Sequence, residues 1–258
     1  MPTLASLLSL SGRTAVVTGG SRGLGLEIAE GLAEAGARVW ITARREAWLA
    51  PALDALRAAG HEAYAAPCDV GDPTAVDSFL SHVTAQGHRI DILVNNAGIT
   101  WAAPPETMPL ERWKQVLDVN LTAAFLFARA VAPGMREIGR GRIINISSIA
   151  GLIGTPTGIM DAVGYSASKA ALIGLTRDLA VKWAKDGITV NAIAPGFFRT
   201  RMTDALLANH EAAITAITPM GRIGGEGELK GIAVALASDA GGYVTGQVIA
   251  VDGGLSVT

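Results

Sequence analysis

Apolar runs of strand length alternate with longer amphipathic stretches from one end of the chain to the other. The pattern predicts strands over Thr14–Thr18, Arg38–Thr42, Glu62–Ala66, Ile90–Asn95, Gly141–Ser147, Ile188–Ala192 and Gln247–Val251. Helices are predicted near Gly23–Ala35, Glu46–Ala59, Pro73–Gln86, Pro109–Ile138, Gly164–Lys185 and Gly227–Ser238. Ala15-Val16-Val17 and Ile143-Ile144 are continuous rather than alternating apolar runs, as strands buried on both faces require. Strand–helix–strand repetition calls for right-handed crossovers, hence a parallel sheet with helices on both sides. No linker, charge block or internal repeat divides the chain, so residues 1–258 read as one doubly wound α/β domain. Ligands of such sheets bind beyond the carboxyl ends of the strands, where the strand order switches.

Composition narrows the function classes. Half of the 258 residues are hydrophobic and 17% are charged, enough for one large core and too apolar for disorder. Twenty-one basic against 23 acidic residues leave a net charge of −2, so nothing global draws the chain to nucleic acid or anionic lipid. Basic and aromatic residues do not cluster in a nucleic-acid pattern either. A single cysteine, Cys68, forms no internal disulfide, in keeping with a reducing compartment. The four histidines, His61, His82, His88 and His210, form no ligand-spaced cluster, and no metal is expected. The start carries no basic segment of a signal peptide. The apolar stretch around Ala123–Ala132 is broken by Arg129 and falls short of about 18 uncharged residues. These features predict a soluble cytoplasmic protein.

The first strand runs into Thr18-Gly19-Gly20-Ser21-Arg22-Gly23-Leu24-Gly25 and then directly into a helix. Glycines there permit a tight turn and close backbone approach to a pyrophosphate, and the helix N-terminus offers free N–H groups to its charge. The end of the second strand selects the dinucleotide. An NAD site places an acid there for the ribose 2′-hydroxyl, whereas this chain has Arg44 and Arg45. With Arg22 approaching from the glycine loop, they predict a 2′-phosphate and so NADP(H). Asp69, ahead of Val70, either accepts from the adenine amine or caps the following turn. Asn96-Ala97-Gly98 pass close to the cofactor, while Asn95 ties neighbouring strands together.

Tyr165 and Lys169 stand four apart in a helical segment and so share a face. A free phenol has a pKa of about 10, too high for proton transfer at neutral pH, and an adjacent ammonium lowers it. Ser147-Ser148 end the fifth strand and can offer a hydroxyl to a carbonyl oxygen. Asn120, among apolar neighbours, needs a partner such as a water leading from Lys169 to solvent.

Together these motifs, with Pro195-Gly196, Thr200 and the terminal Val251-Asp252-Gly253-Gly254, resemble those of the short-chain dehydrogenase/reductase family over essentially the whole chain. The resemblance implies a Rossmann-type sheet of seven strands and an Asn120–Ser148–Tyr165–Lys169 catalytic tetrad. In it Tyr165 is general acid in reduction and base in oxidation, and Lys169 lowers its pKa and holds the nicotinamide ribose. Ser148, the second serine of the family pattern, polarises the carbonyl, and Asn120 positions a relay water. Pro195, Gly196, Phe197 and Thr200 surround the nicotinamide, and Arg22 and Arg44 match NADP-preferring members. A homotetramer is implied too, built on the 109–138 and 164–185 helices and the last strand. The seventeen residues from Ser148 to Tyr165 exceed the family pattern, the excess falling at 155–162 beside the substrate.

Trp101, Ile149, Ile153, Met160, Phe197, Phe198 and Met202 are the candidate pocket residues, and 203–220 has the placement of a lid. Arg199, Arg201 and His210 meet either an acidic substrate or water. The leading expectation is an NADP(H)-dependent oxidoreductase acting on a ketone or secondary alcohol. The chain resembles both 3-oxoacyl-thioester reductases and enzymes of keto-sugar acids. The alternative is a non-catalytic NADP(H) sensor, against which the complete tetrad argues.

Overall fold

The structure, a computed structural model, describes residues 1–155 and 160–258. Seven parallel strands form one sheet in the order β3-β2-β1-β4-β5-β6-β7. They are β1 (Thr14–Thr18), β2 (Arg38–Ala43), β3 (Ala63–Pro67), β4 (Ile92–Asn95), β5 (Gly141–Ile146), β6 (Ile188–Pro195) and β7 (Val248–Val251). All seven predicted strands are present, with ends moved by up to three residues. The largest shift is at β6, which runs on to Pro195 because Pro195 still pairs with Val251 of β7.

Alternate strand residues face opposite sides, and two cores result. On one side Ala15, Val17, Ile41 and Ile144 pack against α2 (Gly23–Glu34), α3 (Glu46–Ala58) and α9 (Lys230–Ala237). On the other, Val16, Leu93 and Ile143 meet α4 (Pro73–Ala85), α6 (Ala123–Glu137) and α7 (Val163–Trp183). A short α1 (Leu4–Leu8) is capped by Thr3. The predicted helix over 109–138 is α5 (Leu110–Leu117), a π turn over Asp118–Thr122, and α6. By length and hydropathy that continuous stretch could cross a membrane, but Val116, Ala124, Phe127, Val131 and Met135 are buried in the protein. The predicted Gly227–Ser238 helix shortens to Lys230–Ala237, and the lid region contains α8 (Asp204–Ile217).

The chain crosses from β3 at one edge back to β4 beside β1. That reversal opens the cleft in which the site lies. A chain of buried side chains spans the central sheet. Asn95 Nδ2 donates to Asn145 Oδ1 at 2.9 Å, and Asn145 Nδ2 donates to Thr176 Oγ1 on α7 at 2.9 Å. Asn95 thus ties strands together, as expected, and holds α7 to them.

Candidate active site

A cleft of about 870 Å³ lies over the carboxyl ends of β1 and β4. Gly19, Ser21, Arg22, Gly23, Leu24, Gly25, Arg44, Asp69, Val70, Asn96, Ala97, Gly98, Pro195, Gly196 and Thr200 all line it, as do Ser148, Tyr165 and Lys169. The glycines are there for space. A Cβ on Gly25 would lie 2.2 Å from Asn96 Nδ2 and 2.4 Å from the Gly19 carbonyl oxygen. Gly19 itself adopts φ +66°, a region costly for residues with a Cβ. Asn96 braces the loop, its Nδ2 donating to the carbonyls of Thr18 at 2.9 Å and Gly19 at 3.1 Å. Asp69 caps the turn that follows it, one of its two expected roles, and Asp72 caps α4, accepting from Thr74 N. Asp69 Oδ1 accepts from Gly71 N at 3.0 Å.

Two residues expected at the cofactor, Arg45 and Phe197, are not among those lining the cleft. Arg45 does not line the cleft; its guanidinium lies over the Trp48 ring, 4.9 Å from the centroid. Phe197 lines a second cavity, and it is Phe198 that borders the cleft. The swap arises because the backbone after β6 is irregular, so no strand period fixes which side chain faces which way. Among the cleft residues not anticipated as such are Trp48, over which Arg22 stacks at 4.3 Å, and Arg201. None of Arg22, Arg44 and Arg201 forms an ion pair among the described residues.

At the inner end of the cleft, Tyr165 and Lys169 rise from α7 on one face, the Lys169 ammonium 5.6 Å from the phenol ring centre. Lys169 Nζ donates to the Ile146 carbonyl at 2.7 Å. Ser147 is spent on structure, its Oγ donating to the Lys169 carbonyl at 2.9 Å. Ser148 Oγ, by contrast, accepts from Ala150 N at 3.2 Å and stands close enough to the Tyr165 phenol to pull its pKa down. Burial pushes the Lys169 ammonium down to a pKa of about 8. Burial also raises the Tyr165 phenol above its ordinary value, outweighing the opposite pull of Ser148. The lowering expected from Lys169 is not the governing effect here, since desolvation disfavours the charged form of both groups.

Asn120, buried in the π turn, has three hydrogen bonds to protein partners. Its Oδ1 accepts from Ile99 N at 2.8 Å, while Nδ2 donates to the Ile99 carbonyl at 3.0 Å and to Ser168 Oγ at 2.9 Å. It thereby joins the segment after β4 to the turn of α7 between Tyr165 and Lys169. π turns of this kind often sit at functional sites.

A second cavity of about 550 Å³ adjoins the cleft, and Ser148, Tyr165, Gly196 and Met202 line both. Its walls include Ile149, Ile153, Met160, Phe197 and Met202, as anticipated, and also Leu206 and Ile217 of α8 and Leu255. Trp101 is outside it, 39% exposed beneath the Arg112 guanidinium. No lysine, arginine or histidine lines this cavity among the described residues. Arg199 is held by Glu211 through two bonds of 2.8 and 2.7 Å, and His210 lines neither cavity. The 155–162 stretch falls partly, at 156–159, outside the described residues.

Comparison with known proteins agrees with this architecture. The family model described as enoyl-(acyl carrier protein) reductase matches residues 19–256. Gluconate 5-dehydrogenase of Gluconobacter oxydans is 41% identical over 98% of each chain. The 3-oxoacyl-[acyl-carrier-protein] reductase of Escherichia coli is 40% identical over 96% of this chain and 99% of its own. The crystal structure of a Burkholderia cenocepacia gluconate 5-dehydrogenase in complex with NADP and tartrate superposes with a TM-score of 0.94. It is 39% identical and covers 99% of this chain and 100% of its own. With the seven-stranded sheet, the glycine loop and the paired Tyr165 and Lys169 in place, the chain belongs to the short-chain dehydrogenase/reductase family.

Proposed function

We infer that this protein is an NADP(H)-dependent oxidoreductase that interconverts a ketone and a secondary alcohol whose substituents are mainly apolar. The observation that carries the reading is the shared wall: Ser148 and Tyr165 stand between a glycine-floored cleft edged by arginines and an apolar cavity. The cleft fits a dinucleotide, since the glycine loop lines it together with Arg22, Arg44 and Arg201, three guanidiniums that form no ion pair among the described residues. The glycine loop and the α2 N-terminus would take the pyrophosphate. Arg22 and Arg44 would take the 2′-phosphate, and Lys169 the nicotinamide ribose. When bound, the nicotinamide supplies or accepts a hydride.

The chain's own residues do the rest. Tyr165 holds the proton at Oη and gives it to the carbonyl oxygen in reduction, taking it back in oxidation. Ser148 donates its hydroxyl to the same oxygen, where negative charge develops. The Lys169 ammonium favours the phenolate left behind. Asn120 is a positioning residue, fixing the α7 turn that carries Tyr165 and Lys169.

The chemistry of the cavity favours a 3-oxoacyl-type or other lipophilic ketone over a keto-sugar acid. A buried carboxylate needs a cation or several donors, and Arg199 is already committed to Glu211. Both substrate classes occur among the relatives at similar identity, so this preference rests on the cavity lining. We also propose a homotetramer acting in the cytoplasm.

The test follows nicotinamide absorbance with NADPH and NADH in parallel, against 3-oxoacyl thioesters, bulky aryl ketones and keto-sugar acids. Turnover of the first two classes with NADPH is expected. A preference for the sugar acids would overturn the substrate reading, and NADPH binding with silence on every class would favour the sensor.

A further inference from the structure

The segment between β6 and α8 carries two arginines of opposite fate. Arg199 is neutralised by Glu211 at 2.7 Å. Arg201, two residues on, is exposed and has no carboxylate partner among the described residues. Its place is fixed by a tight turn: Thr203 Oγ1 donates to the Phe198 carbonyl, Thr200 N donates to Thr203 Oγ1 at 2.9 Å, and Asp204 N donates to the Thr200 carbonyl at 2.9 Å. The same turn lies against the glycine loop, since a Cβ on Gly23 would sit 3.6 Å from Thr200 Cγ2.

Arg201, Arg22 and Arg44 therefore line one cleft. Burial first, and then the charges of Arg201 and Arg44, depress the Arg22 guanidinium. Three cations lining one cleft with no ion-pair partner among the described residues repel one another and favour an anion between them. The adjoining Asp204 lines the cleft as well but forms no ion pair with any of the three. A dianionic phosphate monoester presents enough charge and enough acceptor oxygens for three forks.

We propose that Arg201 is a third ligand of the cofactor's 2′-phosphate, so that the segment lining the substrate cavity also reads which dinucleotide is bound. The proposal rests on the NADP(H) reading above and extends it to a residue outside the glycine loop and β2. Arg201 precedes Met202, which lines both cavities, and leads into α8, which supplies Leu206 and Ile217 to the substrate wall. A 2′-phosphate offers Arg201 a charge to pair with, whereas a 2′-hydroxyl offers none.

The test is calorimetric titration of wild type, Arg201→Ala and Arg201→Lys with NADPH, NADH and adenosine 2′,5′-bisphosphate, a probe with neither pyrophosphate nor nicotinamide. Arg201→Ala is expected to weaken NADPH and the bisphosphate by about 10-fold or more, as for loss of a charge-assisted bond, and to leave NADH nearly unchanged. Arg201→Lys is expected to retain part of the affinity. Equal weakening of NADPH and NADH would place Arg201 on the pyrophosphate and overturn the proposal. Unchanged NADPH binding by Arg201→Ala would overturn it too. A wild type without NADPH preference would overturn both this and the NADP(H) reading. Thermal melts of each variant separate these results from misfolding.

Discussion

Each side chain of the site is divided between structure and chemistry, and the division gives specific expectations. Tyr165→Phe is expected to keep NADPH binding while turnover falls by about 10²–10⁴, the range for a positioned acid; near-normal turnover would remove the phenol from the mechanism. Lys169 titrates near 8 in the native protein, against about 10.4 in an unfolded chain. Between those values the unfolded chain binds more protons, so the native state gains stability as pH rises from 8 towards 10. Lys169→Met lacks this titration. In urea melts of the free protein it should be more stable than wild type at pH 7, by at most about 3 kcal/mol, with the gap closing towards pH 10. A gap independent of pH would mean that the buried ammonium is not its source. Cys68 lies buried with its thiol pushed up to about 12, chiefly by burial and then by Asp69 and Asp72. It should resist maleimide at pH 8 until the chain is unfolded. Tyr165 and Lys169 were legible as a pair by their four-residue spacing, whereas Ser148 and Asn120 joined them only through the family resemblance. Trp48 and Arg201 were not, because their places depend on where loops travel. What Asn120 bonds to depends on a π turn that no hydrophobic period reports.

At the scale of elements, the glycine loop is a packing problem solved by leaving out side chains. Gly25→Ala must move the Asn96 amide or the Gly19 carbonyl, so about 1–3 kcal/mol of stability and most of the cofactor affinity should be lost together. Retained NADPH binding in a calorimetric titration would show that the loop can yield. Phe127 of α6 is fully buried against the sheet, and Phe127→Ala should cost about 3–5 kcal/mol in a denaturant melt. Strands were legible as elements because burial on both faces leaves an unbroken apolar run, as in Ile143-Ile144. The lid helix was harder to see, since only Leu207 and Ile214 of α8 are buried and a two-residue stripe hardly differs from a loop. The internal prolines Pro51 and Pro133, in α3 and α6, likewise run against local propensity, and the packed sheet overrides it.

The whole molecule leaves apolar side chains in water on the helices at one flank, among them Phe125 on α6 at 40% exposure and Val181 on α7 at 80%. In the proposed tetramer these positions are covered. Light scattering should give four times the chain mass, and the double variant Phe125→Glu, Val181→Glu should lower it; a monomeric wild type would exclude the assembly. The two cavities also differ in what holds them. Tyr165 and Lys169 ride on a helix fastened to β4 and β5 through Thr176, Asn145 and Asn95. Ile149, Ile153, Phe197, Met202 and Leu206 come from connections and from the lid. For anyone redesigning the protein, this amounts to a chassis with interchangeable fittings. Libraries confined to those five positions should change which ketone is accepted, and even which face of it is attacked, while the hydride chemistry is inherited intact.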